Sequence, residues 1–391
     1  MVIKFPSREE LMKAFSFAGI KPIVFGVGQV EHLADEIAAF NNKTSEIVVI
    51  SDTGVVKAGI VDRIRLILAR AGFHVTVFSE LTGEPHAETI DAAAAILRRM
   101  ERPCVIGLGG GSSLDVAKLS SIVAGAKEPA ESYALCARAL PESCVKRIMI
   151  PTTAGTGAEM TRTAVFSNGR GCKVWAWGPE LFPDLVILDP SLTISIPGPI
   201  TAETGLDALV HAIEAFTCQQ QNPISDALAI QAIKLVGQHL IQAVEKPSDM
   251  DARSGMLVAA NLAGSAFAQT GTGGAHAIGH ALATLTEISH GRAVTMGMDL
   301  LLAWNAKASP ARHAAVAAAL GYEKNADTAA HAFRVLVEKA GVDLSLADTG
   351  VDPETLARIM FSDENLPMTE NNARPIGPEE ALVLTRRLVE R

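Results

Sequence analysis

Two pairs of side chains four residues apart are the first chemically suggestive feature of this sequence. Asp207 and His211 lie in Gly205-Leu-Asp-Ala-Leu-Val-His-Ala-Ile-Glu214, and His276 and His280 in Gly273-Gly-Ala-His-Ala-Ile-Gly-His280. Both stretches read as helix, where residues four apart sit one turn apart on the same face. Ten residues beyond His280 comes another imidazole, in Ser289-His290-Gly291. One carboxylate and several imidazoles can therefore converge from three segments. A mixed oxygen and nitrogen set of this kind suits Fe(II) or Zn(II) and can leave one position open for a substrate oxygen. A lone helical histidine is more often satisfied or on the surface. Here the spaced groups fall on otherwise apolar helix faces, where unpaired polar groups are costly, in a chain with only 10 histidines.

A second constellation points to a phosphate. Gly107-Leu-Gly-Gly-Gly-Ser-Ser-Leu-Asp-Val-Ala-Lys118 joins the apolar run that starts at Cys104 to an amphipathic helical pattern. Strand, glycine turn and helix start follow one another directly. Glycines let a backbone approach a pyrophosphate with no Cβ in the way, and a helix N-terminus supplies free N–H donors. Gly110, Gly111 and Ser112 are the candidates, against the plainer reading of a tight turn with a serine cap. Upstream, Ile47-Val-Val-Ile-Ser-Asp52 ends an apolar run in a carboxylate. An acid there can accept hydrogen bonds from an adenosine ribose and repels a 2′-phosphate, which favours NAD over NADP; the bland alternative is that Asp52 caps the following helix. Gly26-Val-Gly28 is only half of a dinucleotide fingerprint and reads equally as a turn.

These groups need a scaffold of two kinds. β-branched runs at 21–25, 46–50, 74–78, 104–108, 147–150 and 185–188 alternate with helical patterns at about 56–71 and 86–100. That rhythm predicts an α/β domain with a doubly wound, Rossmann-like parallel sheet. After Pro197-Gly-Pro199 the strand signals nearly vanish, and stretches with helical periodicity such as 224–244 and 311–320 continue to the end. The reading is α/β plus all-α: a dinucleotide-binding domain over 1–196 and an all-helical metal and substrate domain over 197–391. A length of 391 residues accommodates both cores. The net charge of −9 and the absence of a Lys/Arg stripe argue against nucleic acid as a partner. The polar N-terminus and the lack of roughly 18 uninterrupted apolar residues predict a cytoplasmic protein with no membrane partner. Five scattered cysteines without a CxxC pair suggest neither disulfides nor a thiolate zinc site, and read as small buried hydrophobes.

The sequence also resembles a known family. GGGSSLDVAK, Pro151-Thr-Thr-Ala-Gly-Thr-Gly-Ala-Glu159, the block from Gly205 to Glu214, and His276-Ala-Ile-Gly-His280 with His290-Gly291 look like the signature blocks of iron-containing alcohol dehydrogenases, in order along nearly the whole chain. The resemblance implies hydride transfer between NAD(H) and a small alcohol, aldehyde or ketone, commonly in a homodimer. It implies Asp207, His211, His276 and His290 as ligands of Fe(II), alternatively Zn(II), and His280 as a non-ligand residue near the nicotinamide that relays a proton. Gly110, Gly111 and Ser112 would meet the pyrophosphate, Thr152, Thr153 and Lys173 the nicotinamide side, and Asp52 matches the NAD-selecting acid. The chain departs from the family pattern at Ala281 and Ala283, at Ala293-Val294 and Leu301-Leu302, and in the polar Thr270-Gly-Thr272, so the substrate stays open. Two alternatives are a maleylacetate-reductase-like enzyme, which typically lacks the ligand Asp, and a dehydroquinate-synthase-like NAD/zinc lyase, which uses clustered Lys and Arg not seen here around 200–300.

Overall fold

The computed structural model describes residues 14–40, 44–81, 83–169, 172–346 and 349–390. The N-terminal stretch read above for targeting signals lies outside them. Eight strands follow in order: β1 (Ile23–Phe25), β2 (Glu46–Asp52), β3 (His74–Leu81), β4 (Cys104–Gly109), β5 (Lys146–Pro151), β6 (Thr163–Ser167), β7 (Lys173–Trp177) and β8 (Leu185–Leu188). Six form one parallel sheet in the order β1-β8-β5-β4-β2-β3. Their β-branched residues are buried on both faces, as a covered parallel sheet requires: Ile47 and Val49 enter one core, Val48 and Ile50 the other. Every expected strand is present.

The chain moves outward from β2 to β3, returns to β4, and then proceeds the other way to β5 and β8. The order reverses between β2 and β4, which places Asp52 and the glycine loop at adjoining strand ends. That crevice is where doubly wound sheets take ligands.

The antiparallel hairpin β6–β7 was not among the expected elements. It is held from below by Lys118, whose fully buried ammonium bonds Ala158 O, Thr161 Oγ1 and Thr163 O and pairs with Asp115 at 2.8 Å. Asp115 in turn accepts from Val165 N. The Asp-Val-Ala-Lys end of the glycine motif is thus a mount for the hairpin.

From Gly198 onward the chain is helical. Helix Gly198–Thr217 packs against Pro223–Glu245 and Met250–Thr270, and Gly274–Leu285 against His290–Ala306, around one apolar core. Pro223–Glu245 is long and apolar enough to cross a membrane, but it turns Ala229, Ala232, Ile233, Val236 and Leu240 into that core. The two halves meet closely at Gly157, where φ is +59° and an added Cβ would lie 2.5 Å from Gly264 Cα. Only glycine serves there on both counts. The cysteine expectation is corrected: all five are free, yet only Cys104 and Cys218 are buried, whereas Cys136 and Cys144 are exposed.

Candidate active site

At the sheet end of the site, Gly109 (φ +151°) ends β4 and Gly110 stands as the N-cap of helix Gly111–Val123, with no side-chain cap. A Cβ on Gly109 would strike Ser113 and Asp52, and one on Gly111 would strike Thr156, so packing alone demands those glycines. Gly110 is different. Its Cβ would meet only Thr153, at 3.5 Å, so the polypeptide leaves an open cradle above this N-terminus that a phosphate suits. Asp52 caps helix Thr53–Lys57, its Oδ1 accepting from Gly54 N (2.8 Å) and Val55 N (3.1 Å), while Oδ2 accepts from Ser113 Oγ at 3.2 Å. It is a helix cap and a strand-end acid in the crevice at once. Gly28 (φ +78°) donates to Asp189 Oδ1, so Gly26-Val-Gly28 is a turn pinned by Asp189.

At the helical end, Asp207, His276 and His290 place one donor atom each within 4.8 Å of one another. Asp207 Oδ1 is 3.8 Å from His276 Nε2, 3.7 Å from His290 Nε2 and 3.5 Å from His211 Nδ1. Asp207 Oδ1, His211 Nδ1 and His276 Nε2 are buried without a hydrogen-bond partner. Each such group costs about 1–3 kcal/mol. Asp207 Oδ1 and His276 Nε2 converge with His290 Nε2 where a divalent cation would satisfy them, His211 Nδ1 stands beside Asp207 but outside that mutually close set, and the carboxylate and imidazole donors fit Fe(II) or Zn(II). Burial pushes the Asp207 carboxyl up to about 6, opposed by His276 and Lys173. Burial, with neighbouring cationic groups, holds His211 and His290 well below the ordinary imidazole value, so their rings are neutral and can ligate. His276 is pulled down by burial, but the carboxylates of Glu214 and Asp207 outweigh that and its net shift is upward.

Glu214 had no assigned role in the sequence. Its Oε2 lies 2.6 Å from His276 Nδ1, and its Oε1 accepts from Ala275 N at 2.7 Å and more weakly from His276 N. One carboxylate therefore caps helix Gly274–Leu285 and draws the ring proton of His276 to Nδ1, leaving Nε2 free to face Asp207. The available signal was spacing: Glu214 is seven residues, two turns, beyond Asp207. Phe267 was also missed; its ring stacks on His211 with centroids 4.2 Å apart.

One cavity of about 740 Å³ connects the two ends, lined by Gly111 and Ser112 on one side and His211, His276, His280 and His290 on the other. His280 lies edge-on to His276, with centroids 6.1 Å apart, outside the set of mutually close donors. Burial, then Lys173 and His276, lower its pKa, against a hydrogen bond to Asn365. Lys173 lines the cavity from β7, paired with Glu84 at 2.5 Å. Gly110, Thr152, Thr153, Asp52 and Asp207 do not line it. Of the departures from the family pattern, Thr270 and Thr272 are on the cavity wall, whereas Ala293, Val294, Leu301 and Leu302 are buried in the helical core.

A parallel sheet with an open phosphate cradle at its switch point, joined through one cavity to a buried carboxylate–imidazole cluster, defines a dinucleotide-dependent, metal-dependent oxidoreductase. The family described as iron-containing alcohol dehydrogenase matches residues 21–190, and the C-terminal part of the Fe-containing alcohol dehydrogenase family matches 201–387. The chain belongs to the iron-containing alcohol dehydrogenases. It is 33% identical over 384 residues to a sulfoacetaldehyde reductase of Bilophila wadsworthia, covering 95% of this chain and 98% of that one. It is 31% identical over 379 residues to a choline dehydrogenase of Bacillus subtilis, covering 94% of each. Among solved structures it superposes on the sulfoacetaldehyde reductase from Bifidobacterium kashiwanohense in complex with NAD+ with a TM-score of 0.89, at 31% identity, covering 96% of this chain and 99% of that one. The reaction is hydride transfer between NAD(H) and a small alcohol, aldehyde or ketone, with Fe(II) fitting the family and the donor set.

Proposed function

We propose that residues 1–196 hold NAD and residues 197–391 hold the metal and the substrate, the reaction taking place in the cavity between them. The observation that carries this reading is that Asp207, His276 and His290 bring donor atoms within 4.8 Å of one another, two of them buried without a hydrogen-bond partner, at one end of a cavity whose other end is a helix N-terminus. A metal held there would supply Lewis-acid polarisation of the substrate oxygen, and NAD would supply the hydride acceptor. The chain's own groups do the rest. The backbone at Gly110, Gly111 and Ser112 receives the pyrophosphate, Asp52 the adenosine ribose, and Thr152, Thr153 and Lys173 the nicotinamide side. Asp207, His211, His276 and His290 are the metal ligands. Phe267 shields His211 from water, and neutral His280 accepts the proton that leaves the alcohol. The exposed apolar side chains of Ile23 and Phe25 on edge strand β1, with Val27 beyond it, support a homodimer. We place the enzyme in the cytoplasm.

Neither alternative is favoured. Asp207 sits at the centre of the donor cluster, and among the described residues only Arg162 and Lys173 bring Lys or Arg side chains into the cavity. The test is metal analysis with an NADH-consumption assay on small aldehydes. Alanine at any of the four ligands should abolish both bound metal and turnover. His280→Ala should keep the metal and alter the pH dependence of the rate. Loss of metal in the His280 variant as complete as in His276→Ala would overturn this division of roles.

A further inference from the structure

We infer that Arg162 forms a subsite for an anionic group, so that the preferred substrate is a short aldehyde or alcohol carrying a carboxylate, sulfonate or phosphate near its reacting carbon. The inference rests on the oxidoreductase reading above and names the substrate class for it.

Arg162 lines the cavity. Its Nε donates to Ala268 O at 3.1 Å, and its guanidinium carbon lies over the Trp177 ring, 4.0 Å from the centroid. The head group is therefore held in place, yet Nη1 and Nη2 have no partner among the described residues. Several other sheltered cations among the described residues have charged or carbonyl partners. Lys173 pairs with Glu84, Lys118 with Asp115, Arg147 with Asp184, and Arg253 places its donors on Thr201 Oγ1, Ile196 O and Pro247 O. A half-buried guanidinium held by its Nε keeps its two Nη groups available, and their planar fork matches carboxylate, sulfonate and phosphate alike.

The position is on the substrate side. Ala268 belongs to helix Met250–Thr270, and the residue before it, Phe267, stacks on His211. Arg162 is thus anchored one residue away from the aromatic lid of the donor cluster, on the helical wall. Gln219, Gln220, Gln269, Thr270 and Thr272 set polar groups into an otherwise largely apolar wall of the same cavity. Beside Arg162 these side chains offer an anionic end hydrogen-bond donors that an alkyl chain cannot use. Glu364 and Glu370 also reach the cavity, which makes a cationic substrate the competing outcome.

The experiment compares butanal, succinic semialdehyde and trimethylammoniobutanal, one chain length with a neutral, anionic or cationic end, using metal-loaded enzyme and NADH. Sulfoacetaldehyde and glycolaldehyde phosphate then rank sulfonate and phosphate against carboxylate. The expected result is that kcat/KM for an anionic aldehyde exceeds that for butanal by roughly tenfold or more. Arg162→Gln should raise KM for that aldehyde by a similar factor, with KM for butanal and for NADH moving less than about twofold. Arg162→Lys, which keeps charge but loses the fork, should fall between. A preference of the unaltered enzyme for the neutral or cationic aldehyde would overturn the inference, as would an Arg162→Gln defect shared equally by all aldehydes or directed at NADH. Titration with butanoate and propanesulfonate reads the subsite without turnover: saturable binding lost in Arg162→Gln supports it, and binding indifferent to the substitution sinks it. If no aldehyde is reduced while these anions still bind through Arg162, the oxidoreductase reading fails and the subsite stands.

Discussion

Replacing Glu214 by Gln removes one charge and one acceptor from beneath the donor cluster while preserving shape. The carboxylate serves two clients, Ala275 N through Oε1 at 2.7 Å and His276 Nδ1 through Oε2 at 2.6 Å. An amide has one oxygen and cannot serve both. If its oxygen keeps Ala275 N, its NH2 faces the ring, and His276 must move its proton to Nε2, the atom that faces Asp207 at 3.8 Å. If its oxygen turns to the ring, the NH2 confronts the backbone N–H and the helix loses a cap worth about 1 kcal/mol. With both side chains almost fully buried, water cannot repair either arrangement. Losing a carboxylate behind a metal-ligating histidine typically lowers metal affinity about 10–100-fold, or roughly 1.4–2.7 kcal/mol. The assay is anaerobic competition for Fe(II), repeated with Zn(II), against a chelator of known affinity, with the thermal midpoint confirming a folded variant. A folded Glu214→Gln protein with metal affinity within about twofold of the parent would refute the argument that Glu214 fixes the His276 tautomer.

Asp52→Asn keeps an oxygen for Gly54 N and Val55 N, so stability should change by less than about 0.5 kcal/mol, while thermal stabilisation by NADP should approach that by NAD; an undiminished preference for NAD would remove Asp52 from cofactor selection. Gly110→Val adds a side chain that meets only Thr153, so metal content and folding should persist while NAD affinity drops roughly tenfold or more; unchanged NAD affinity would return the loop to a simple turn. His313 is fully buried, its Nδ1 near Ser309 O and Oγ, and burial depresses its pKa below the ordinary 6.5. The unfolded chain therefore binds a proton that the folded one refuses, so this contribution to stability is complete above 6.5 and is lost as pH falls toward the depressed folded value. Denaturant midpoints compared at about pH 7.5 and 5.5 should show a smaller loss in His313→Gln than in the parent; an equal loss in both would exclude His313 as a source.

Much of the fold was written locally. Fully buried parallel strands need continuous β-branched runs, and Ile47-Val-Val-Ile or Leu185-Val-Ile-Leu can do little else. The four-residue spacing of Asp207 with His211 and of His276 with His280 needs only helix geometry to put each pair on one face, and the glycine run before Ser112 carries its own backbone freedom. The hairpin β6–β7 was not legible, because Thr163–Ser167 and Lys173–Trp177 are short and owe their position to Lys118 and Asp115, which lie 45 and 50 residues before the atoms they hold. Tertiary structure alone decided that His276 leans on Glu214, that Asp52 is a cap as well as a strand-end acid, and that Arg162 keeps a free fork. Each depends on what lies across space from a side chain, since hydrogen-bond satisfaction and burial are properties of pairs brought together by folding. Sequence spacing fixes which groups share a face; only packing fixes which of them are left without a partner, as Asp207 Oδ1 and His276 Nε2 are.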